Sequence, residues 1–152
     1  MAFAQPSLKG RALRLLSGRE HSRFELERKL KSFEEQPGML ALALDELQAK
    51  GFINEQRVIE SVLHRRAAKL GVARIKQELQ AKGLDPAAVS EALVGLKTSE
   101  RERAQEIWRK KFGTPPADAQ AAAKQMRFLA SRGFGGDIIR RVIANANAAA
   151  ED

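Results

Sequence analysis

Lysine and arginine are the side chains of this sequence whose number and placement could do chemistry. The chain carries 27 of them against 19 Asp and Glu, which gives a net charge of +8 at pH 7. Basic side chains that neutralise phosphates release the counterions condensed on a nucleic acid, so a surplus of this size is typical of a protein with a polyanionic partner. A merely solvated basic surface gives the same composition, and both interpretations stay open at this point.

The charge is distributed unevenly along the chain. Residues 1–32 have a net charge of +5, residues 33–64 a net charge of −4, and residues 65–82 again +5. Chance segregation could give such segments. They are also what we expect of a protein that touches an anion with one surface and another protein with a second.

Catalytic and metal-binding patterns are missing from the sequence. His21 precedes one predicted helix and His64 lies in another, without the HExxH spacing of a zinc site, and there is no GxxxxGK[ST] phosphate loop and no GxSxG turn. The chain has no Cys, which excludes disulfides and thiolate metal sites. We therefore predict a protein that is not an enzyme and that needs no cofactor or metal.

Hydropathy and composition also predict the compartment. No apolar run approaches the roughly 18–20 residues that cross a bilayer, and the start "MAFAQPSLKG" lacks the basic-then-apolar order of a secretory signal. The lack of Cys fits a reducing cytosol. We expect a soluble, cytoplasmic protein, and the like charge of its copies favours a monomer.

The elements that must position the basic residues are all helices. Strong helix formers dominate the composition, and no run alternates with period two for long enough to predict a strand. Two Ser-x-x-Glu capping boxes, at 22–25 and 99–102, and the pair Asp85-Pro86 predict helix starts. The predicted helices cover 8–17, 22–33, 38–50, 55–70, 72–82, 86–96, 99–112, 119–132 and 136–147.

Five glycines follow helical stretches and are predicted to end them in the left-handed conformation. They are Gly51, Gly71, Gly83, Gly113 and Gly133. The hexapeptide "ELQAKG" occurs at 46–51 and at 78–83, and "FLASRG" at 128–133 is a blurred copy. We interpret it as shared helix-ending chemistry, with a core Leu, a cation near the negative end of the dipole and a Gly.

A longer repeat underlies these similarities. Leu30, Leu79 and Leu129 occupy equivalent places near the ends of the second, fifth and eighth predicted helices, and their spacing of about 50 residues predicts three modules of three helices. Modules of this kind stack into elongated, curved arrays. The predicted boundaries are a flexible segment at 1–7, modules at 8–51, 52–97 and 98–147, and a frayed tail at 148–152.

Three stretches of the sequence resemble a known family. Residues 51–85, "GFINEQRVIESVLHRRAAKLGVARIKQELQAKGLD", look like the central module of the RecX regulatory proteins of bacteria. Residues 22–30, "SRFELERKL", are similar to the first module of that family, and residues 124–139, "KQMRFLASRGFGGDII", to its third. Each motif is loose by itself, and their order makes the resemblance specific.

The resemblance implies a partner and an activity. It implies a negative regulator that binds the filament of the RecA recombinase on single-stranded DNA and limits its ATPase, strand-exchange and coprotease activities in recombination, DNA repair and the SOS response. It also implies tandem three-helix modules lying along the filament groove. The basic residues considered without the resemblance leave a second hypothesis for the function. It is a sequence-independent helical DNA-binding protein that binds single-stranded or double-stranded DNA through phosphates.

The basic face expected to contact the filament includes cations from all three modules. The alternative is that these cations simply lie on solvated helix faces. Arg66 is different, because it falls within an apolar stripe, and we expect it to reach water from the helix end or to pair with an acid such as Glu91. The residues predicted for the face are Arg23, Arg28, Lys31, Arg57, Arg65, Lys69, Arg74, Lys76, Lys82, Arg127, Arg132, Arg140 and Arg141.

Overall fold

The computed structural model describes residues 5–151, and within that range the chain consists of helices without any strand. Eight α-helices and one 3₁₀ turn, Lys31–Phe33, account for its regular structure. The all-helical fold predicted from the sequence is confirmed. The helices are α1 Leu8–Gly18, α2 Arg23–Leu30, α3 Met39–Ala49, α4 Glu55–Arg66, α5 Val72–Ala81, α6 Pro86–Lys111, α7 Ala119–Ser131 and α8 Gly136–Glu151.

The two ends of the chain bear on the predicted flexible segments. Residues 1–4 and Asp152 lie outside the described residues, so most of the predicted segment 1–7 does as well. Residues 5–7 precede α1, and Ser7 caps that helix by accepting a hydrogen bond from the amide of Gly10. Helix α8 continues through Glu151, into the part of the sequence where we predicted a tail.

Two of the predicted helix starts are confirmed in atomic detail. The Ser22 hydroxyl accepts a hydrogen bond from the amide of Glu25 at 3.1 Å, and the Glu25 carboxylate accepts one from the amide of Ser22 at 3.0 Å. This is a complete capping box at the start of α2. At the start of α6, Asp85 caps the amide of Ala88 and Pro86 takes the first helical position.

The second predicted capping box is wrong. Ser99 lies inside α6, which runs unbroken for 26 residues where the sequence predicts two helices. The physical reason is that no Pro or left-handed Gly stands near Ser99, and its hydroxyl has another partner. It donates to the carbonyl of Leu96 one turn back and accepts a hydrogen bond from Arg103. Ser-x-x-Glu is thus compatible with a helix interior as well as with a helix start.

Four of the five predicted helix-ending glycines adopt positive φ, and Gly71 does not. The four are Gly51, Gly83, Gly113 and Gly133. Gly71 has a φ of −81° and begins α5 instead of ending α4. Its role is close approach: a Cβ at this position would lie 2.4 Å from the carbonyl oxygen of Gly133. Backbone from a distant part of the chain occupies the space that a side chain would need.

The core is divided into three hydrophobic clusters along the chain. The first lies among α1–α3 with Leu30 and Leu44, the second among α4–α6 with Leu79 and Val89, and the third among α6–α8 with Leu129. Helix packing follows the same division. Leu30, Leu79 and Leu129, the positions that define the repeat, are all buried, and α6 contributes to both the second and the third cluster.

The first and second clusters are joined where α2 begins and α5 ends. The Ser22 hydroxyl donates to the carbonyl of Lys82 at 2.6 Å, and the Lys82 ammonium lies 3.3 Å from the Glu25 carboxylate. Phe24 lies against Gly83, where a Cβ would be 2.6 Å from the ring. The start of α2, the middle helix of the first module, therefore contacts the Lys-Gly end of α5, the middle helix of the second module.

The second and third clusters repeat this arrangement. At the start of α5 the amide of Gly71 donates to the carbonyl of Arg132 at 2.7 Å, and the amide of Ala73 donates to Gly133 at 3.3 Å. The Arg74 guanidinium donates to the carbonyl of Ser131 at 2.6 Å. The hexapeptides at 78–83 and 128–133 thus have two roles. Each ends a helix, α5 or α7, and each contacts the start of an earlier helix, α2 or α5 respectively.

Candidate functional site

Four surface cavities are linked in series by shared lining residues, and together they pass all three hydrophobic clusters. Their volumes are about 450, 440, 440 and 350 Å³. Each cavity shares one lining residue with the next: Lys29 joins the first to the second, Glu78 the second to the third, and Arg132 the third to the fourth. We call this surface the cationic groove.

The lining of the cationic groove is strongly basic. Eleven cations line it against two carboxylates, those of Glu25 and Glu78. A concave surface lined by one sign of charge concentrates the opposite charge. The cations are Arg11, Arg14, Arg28, Lys29, Arg66, Lys69, Arg74, Lys82, Lys110, Lys111 and Arg132.

The first cavity lies between α1 on one side and the end of α2 with the 3₁₀ turn on the other. The Arg11 guanidinium lies 3.8 Å from the centroid of the Phe33 ring, which is a close cation–π stack. Arg14 and Lys29 add two more cations to the lining, and the cavity has no acidic residue among its lining residues. This end of the groove is positive and partly aromatic.

Lys29 is oriented by a buried histidine. His21 is almost fully buried, and its Nδ1 lies 3.0 Å from the carbonyl oxygen of Arg19, so Nδ1 donates. Its Nε2 lies 3.2 Å from the Lys29 ammonium and accepts from it. Burial lowers the pKa of His21, which favours the neutral ring that this contact requires. This contact holds the Lys29 ammonium at the point where the first two cavities meet.

Phe24 and Arg28 line the second cavity beside an ion-pair network. Glu25 binds Arg19 at 2.7 Å and Lys82 at 3.3 Å. Burial by itself would raise the pKa of Glu25, but the hydrogen bonds from Arg19 and from the Ser22 amide, with the charge of Lys82, outweigh it and lower the pKa to about 2. Much of the positive charge at this point is therefore neutralised within the protein.

The third cavity is lined by Arg66, the arginine that falls within an apolar stripe of the sequence. Arg66 pairs with Glu78 at 3.4 Å, so the suggested partner Glu91 is wrong. The pattern of residues along α4 could not identify Glu78 as the partner, because Glu78 lies on the next helix, α5. Arg74 also lines this cavity, although its guanidinium is hydrogen-bonded to Ser131 across the junction between the second and third clusters.

The fourth cavity is again free of acidic lining residues. Lys111 lies 5.4 Å and Arg132 5.0 Å from the centroid of the Phe128 ring, and Phe128 packs edge-to-face on Phe112 at 5.4 Å. Lys69, in the segment between α4 and α5, also lines this cavity. Both ends of the groove therefore combine cations with a phenylalanine, although Lys110 at the fourth cavity pairs with Glu106 at 3.8 Å. The middle of the groove holds the two carboxylates.

The predicted basic face and the cationic groove overlap in part. Five of the thirteen predicted residues line the groove: Arg28, Lys69, Arg74, Lys82 and Arg132. Lys76 lines a separate cavity between α5 and α6. The other seven line neither: Arg23, Lys31, Arg57, Arg65, Arg127, Arg140 and Arg141.

Several predicted cations are engaged inside the protein. Arg23 pairs with Asp45 at 2.6 Å, Lys31 with Glu34 at 2.7 Å and Arg57 with Glu20 at 2.9 Å. Arg140 pairs with Asp137. By contrast, Arg65, Lys76, Arg127 and Arg141 are exposed and have no ion-pair partner within residues 5–151.

Six cations of the groove were not among the residues predicted for the basic face. They are Arg66, which the sequence singled out only for its place in an apolar stripe, and Arg11, Arg14, Lys29, Lys110 and Lys111. Arg11 and Arg14 are one helical turn apart, and this i, i+3 spacing was a usable signal for a shared face of α1. Their meeting with Lys29 depends on how α1 packs against α2, which no local pattern encodes. Lys110 and Lys111 end α6, and the structure brings them beside Lys69.

Residues 5–151 contain neither a metal-binding cluster nor a membrane-spanning helix. Among the residues that the structure describes, no group of three or more His, Asp or Glu side chains could hold a metal ion. Over the same range no helix combines the length and the apolar character needed to cross a bilayer.

Models of one protein family match the chain in three places. The description "RecX, first three-helix domain" matches residues 9–37, "RecX, second three-helix domain" residues 54–93, and "RecX, third three-helix domain" residues 99–143. The third match begins inside α6.

Full-length relatives are similar over most of the chain. The regulatory protein RecX of Leptothrix cholodnii is 54% identical over 143 residues, which cover 94% of this chain and 91% of the relative. That of Herminiimonas arsenicoxydans is 48% identical over 134 residues, covering 88% and 89%. That of Ralstonia nicotianae is 44% identical over 146 residues, covering 96% and 92%.

Two crystal structures have a similar fold. RecX from Lactobacillus salivarius superposes with a TM-score of 0.76 and 23% identity, covering 93% of this chain and 95% of the other. A second structure, of a regulatory protein RecX, gives a TM-score of 0.72 at 19% identity and covers 89% and 70%. At these identities the similarity concerns the fold alone.

Proposed function

Because the chain belongs to the RecX family of regulatory proteins, we propose that it is a negative regulator of the RecA recombinase. It binds the RecA filament on single-stranded DNA and limits the filament's ATPase, strand-exchange and coprotease activities. It acts in the cytoplasm, as a monomer and by binding, not by catalysis. The observation that supports this proposal is the cationic groove, which receives cations from all three modules.

A groove that extends over three modules suits a ligand that is itself long. A nucleoprotein filament presents the same DNA and protein surfaces at regular intervals, so successive modules can each bind an equivalent part of it. A protein bound across neighbouring protomers stabilises the filament geometry that it fits. It thereby opposes the changes that nucleotide turnover requires, provided that its affinity differs between the two geometries.

The proposal is tested by titrating the protein into RecA with single-stranded DNA and ATP and measuring the rate of ATP hydrolysis. We expect hydrolysis to fall as the protein saturates the filament. Unchanged hydrolysis at saturating concentrations, with binding verified by co-sedimentation, would reject the regulatory role.

The part played by the groove is tested by two double variants with the same change in charge. Lys69→Glu with Lys111→Glu alters the fourth cavity, whereas Arg127→Glu with Arg141→Glu alters exposed residues outside the groove. We expect the first pair to weaken filament binding about tenfold or more and the second to have a much smaller effect. Equal losses would mean that net charge, not the groove, decides binding.

The alternative function, sequence-independent DNA binding, is favoured by one observation. Aromatic rings lie among the cations of the groove, as in many proteins that bind single strands. Affinity for naked DNA is therefore compared with affinity for the RecA filament on the same DNA. A preference for the filament of at least tenfold, about 1.4 kcal/mol, supports the regulator, and no preference supports the alternative.

A further inference from the structure

The first cavity of the cationic groove is built differently from an ordinary basic surface. Its floor includes the stacked pair of Arg11 and Phe33, with the guanidinium 3.8 Å from the ring centroid. Its apolar walls come from Pro6, Leu15 and Leu30. Phe33 is 45% exposed, so part of its aromatic side chain remains accessible beside the positive charges.

The charges of this cavity are not neutralised within the protein. Arg11, Arg14 and Lys29 have no carboxylate partner within residues 5–151. Nearby Lys31, which does not line the cavity, is paired with Glu34 at 2.7 Å. Gathering three like charges in one concave surface is unfavourable until an anion enters.

Two features of the cavity select the chemical class of that anion. A flat surface made of an arginine and a phenylalanine is the kind on which nucleobases stack, and stacking of this kind does not depend on base identity. Arg14 and Lys29 supply cations for phosphates beside it. The Asp and Glu side chains of an acidic peptide would satisfy the charges but offer no flat ring to stack on the phenylalanine.

We propose that this cavity binds a nucleotide of single-stranded DNA, with the base stacked on the Arg11–Phe33 pair and the phosphates held by Arg14 and Lys29. Its volume of about 450 Å³ is within the range of small-ligand sites. The cavity stands at the first-module end of the groove and shares Lys29 with the next cavity, so a bound strand continues along the groove. The proposal rests on the proposed function only in taking the DNA of the filament as ligand.

The test compares two phenylalanines. Phe33→Ala removes the ring from the cavity, and Phe52→Ala removes a ring that is 46% exposed and lines none of the groove cavities. Binding of a fluorescein-labelled oligodeoxythymidylate is measured by anisotropy without RecA, and the fold of each variant is checked by thermal melting. We expect about tenfold weaker binding for Phe33→Ala, as loss of one stacked base would give, and unchanged binding for Phe52→Ala. Equal affinities for both variants would overturn the proposal.

An abasic oligonucleotide of the same length separates stacking from charge. It keeps the phosphates and lacks the bases, so the native protein should bind it more weakly than the thymidylate, and Phe33→Ala should reduce that difference several-fold. If the native protein binds both probes equally, or if polyglutamate displaces them as efficiently as unlabelled DNA does, the cavity recognises charge alone and the assignment of a nucleotide is wrong.

The same experiments distinguish this inference from the proposed function. RecA is absent from the binding assays, so they can support the nucleotide site even if the RecA ATPase proves insensitive to the protein. Conversely, inhibition of RecA by a protein whose DNA affinity ignores Phe33 would retain the regulator and overturn the site.

Discussion

Glu25 takes part in three interactions at once. Its carboxylate closes the capping box of α2 through the Ser22 amide, pairs with Arg19 at 2.7 Å, and reaches Lys82 of the second module at 3.3 Å. A single side chain thus stabilises a helix start and the junction between two modules. The pKa of about 2 expresses how much better these partners bind the ionised form.

We predict that Glu25→Gln destabilises the protein in a way that depends on pH. The native pKa of about 2 lies below the ordinary value of 4.5, so the charged form stabilises the fold fully above pH 4.5, and this contribution is lost as the pH falls towards 2. With allowance for solvent screening we expect a loss of about 2 kcal/mol at pH 7. The measurement is urea denaturation of both proteins from pH 7 down to pH 3, where the difference should shrink.

Glu35→Gln is the control for this prediction. Glu35 is exposed, and within residues 5–151 it has no ion-pair partner, so its change should alter the free energy of unfolding by less than about 0.5 kcal/mol. A difference between Glu25→Gln and the native protein that is the same at pH 7 and pH 3 would contradict the assigned role of the carboxylate.

The ion-pair partners of individual cations could not be predicted from the sequence. Arg57 and Arg65 were both predicted for the basic face, and both are exposed. The sequence could not indicate that Arg57 pairs with Glu20 whereas Arg65 does not. Such pairing depends on which helices meet, and therefore on the packing between them.

At the scale of elements, the local signals of the sequence were mostly sufficient. Helix existence and most boundaries followed from caps, glycines and apolar spacing, as at Ser22 and Pro86. The errors arose where one pattern has two structural meanings. Ser99 could begin a helix or continue one, and Gly71 could end a helix or admit a neighbouring backbone. Only tertiary contacts distinguish these cases.

We predict that Gly71→Ala destabilises the protein although its φ of −81° suits any residue. The new methyl group would lie 2.4 Å from the carbonyl oxygen of Gly133 and 2.7 Å from the amide nitrogen of Phe134. Because these are backbone atoms, the third module has to shift, at a cost of about 1–3 kcal/mol.

The comparison for Gly71→Ala is Gly18→Ala, since a Cβ at Gly18 meets nothing within 4 Å. Thermal melting of both variants measures the difference. The close approach of the second and third modules would be contradicted if the two variants melted together at the native temperature.

At the scale of the whole molecule, the groove is produced by the way in which modules dock. The start of α2 contacts the end of α5 through Ser22 and Lys82, and the start of α5 contacts the end of α7 through Gly71 and Arg132. Repeating one type of junction keeps successive modules in a related orientation, so that cations distant in sequence come to line one groove. The repeat was predictable from leucine spacing, but the groove was not, because it depends on these junctions.

Helix α6 connects the second and third modules in addition to the junction at Gly71 and Arg132. A glycine weakens this helix. Gly95 lies near its middle, and the hydroxyl of Thr98 donates to the Gly95 carbonyl at 2.7 Å. Arg103 binds the carbonyls of Ala67 and Leu70, both at 2.7 Å, and so ties α6 to the chain that follows α4. Burial lowers the pKa of Arg103, although the guanidinium stays charged at any physiological pH.

If the groove acts as one rigid surface, breaking α6 should impair function without removing a single cation. Gly95→Pro deletes one helical hydrogen bond and kinks the helix, at a cost of about 3 kcal/mol, whereas Gly95→Ala favours the helix by about 0.5–1 kcal/mol. A Cβ at this position meets nothing within 4 Å, so the alanine variant is accommodated without a clash. We expect Gly95→Pro to retain its helical circular dichroism yet to inhibit the RecA ATPase about tenfold less effectively, and Gly95→Ala to inhibit like the native protein. Equal inhibition by both variants would show that the modules bind independently, because a filament that accepts a kinked α6 does not require the continuous groove.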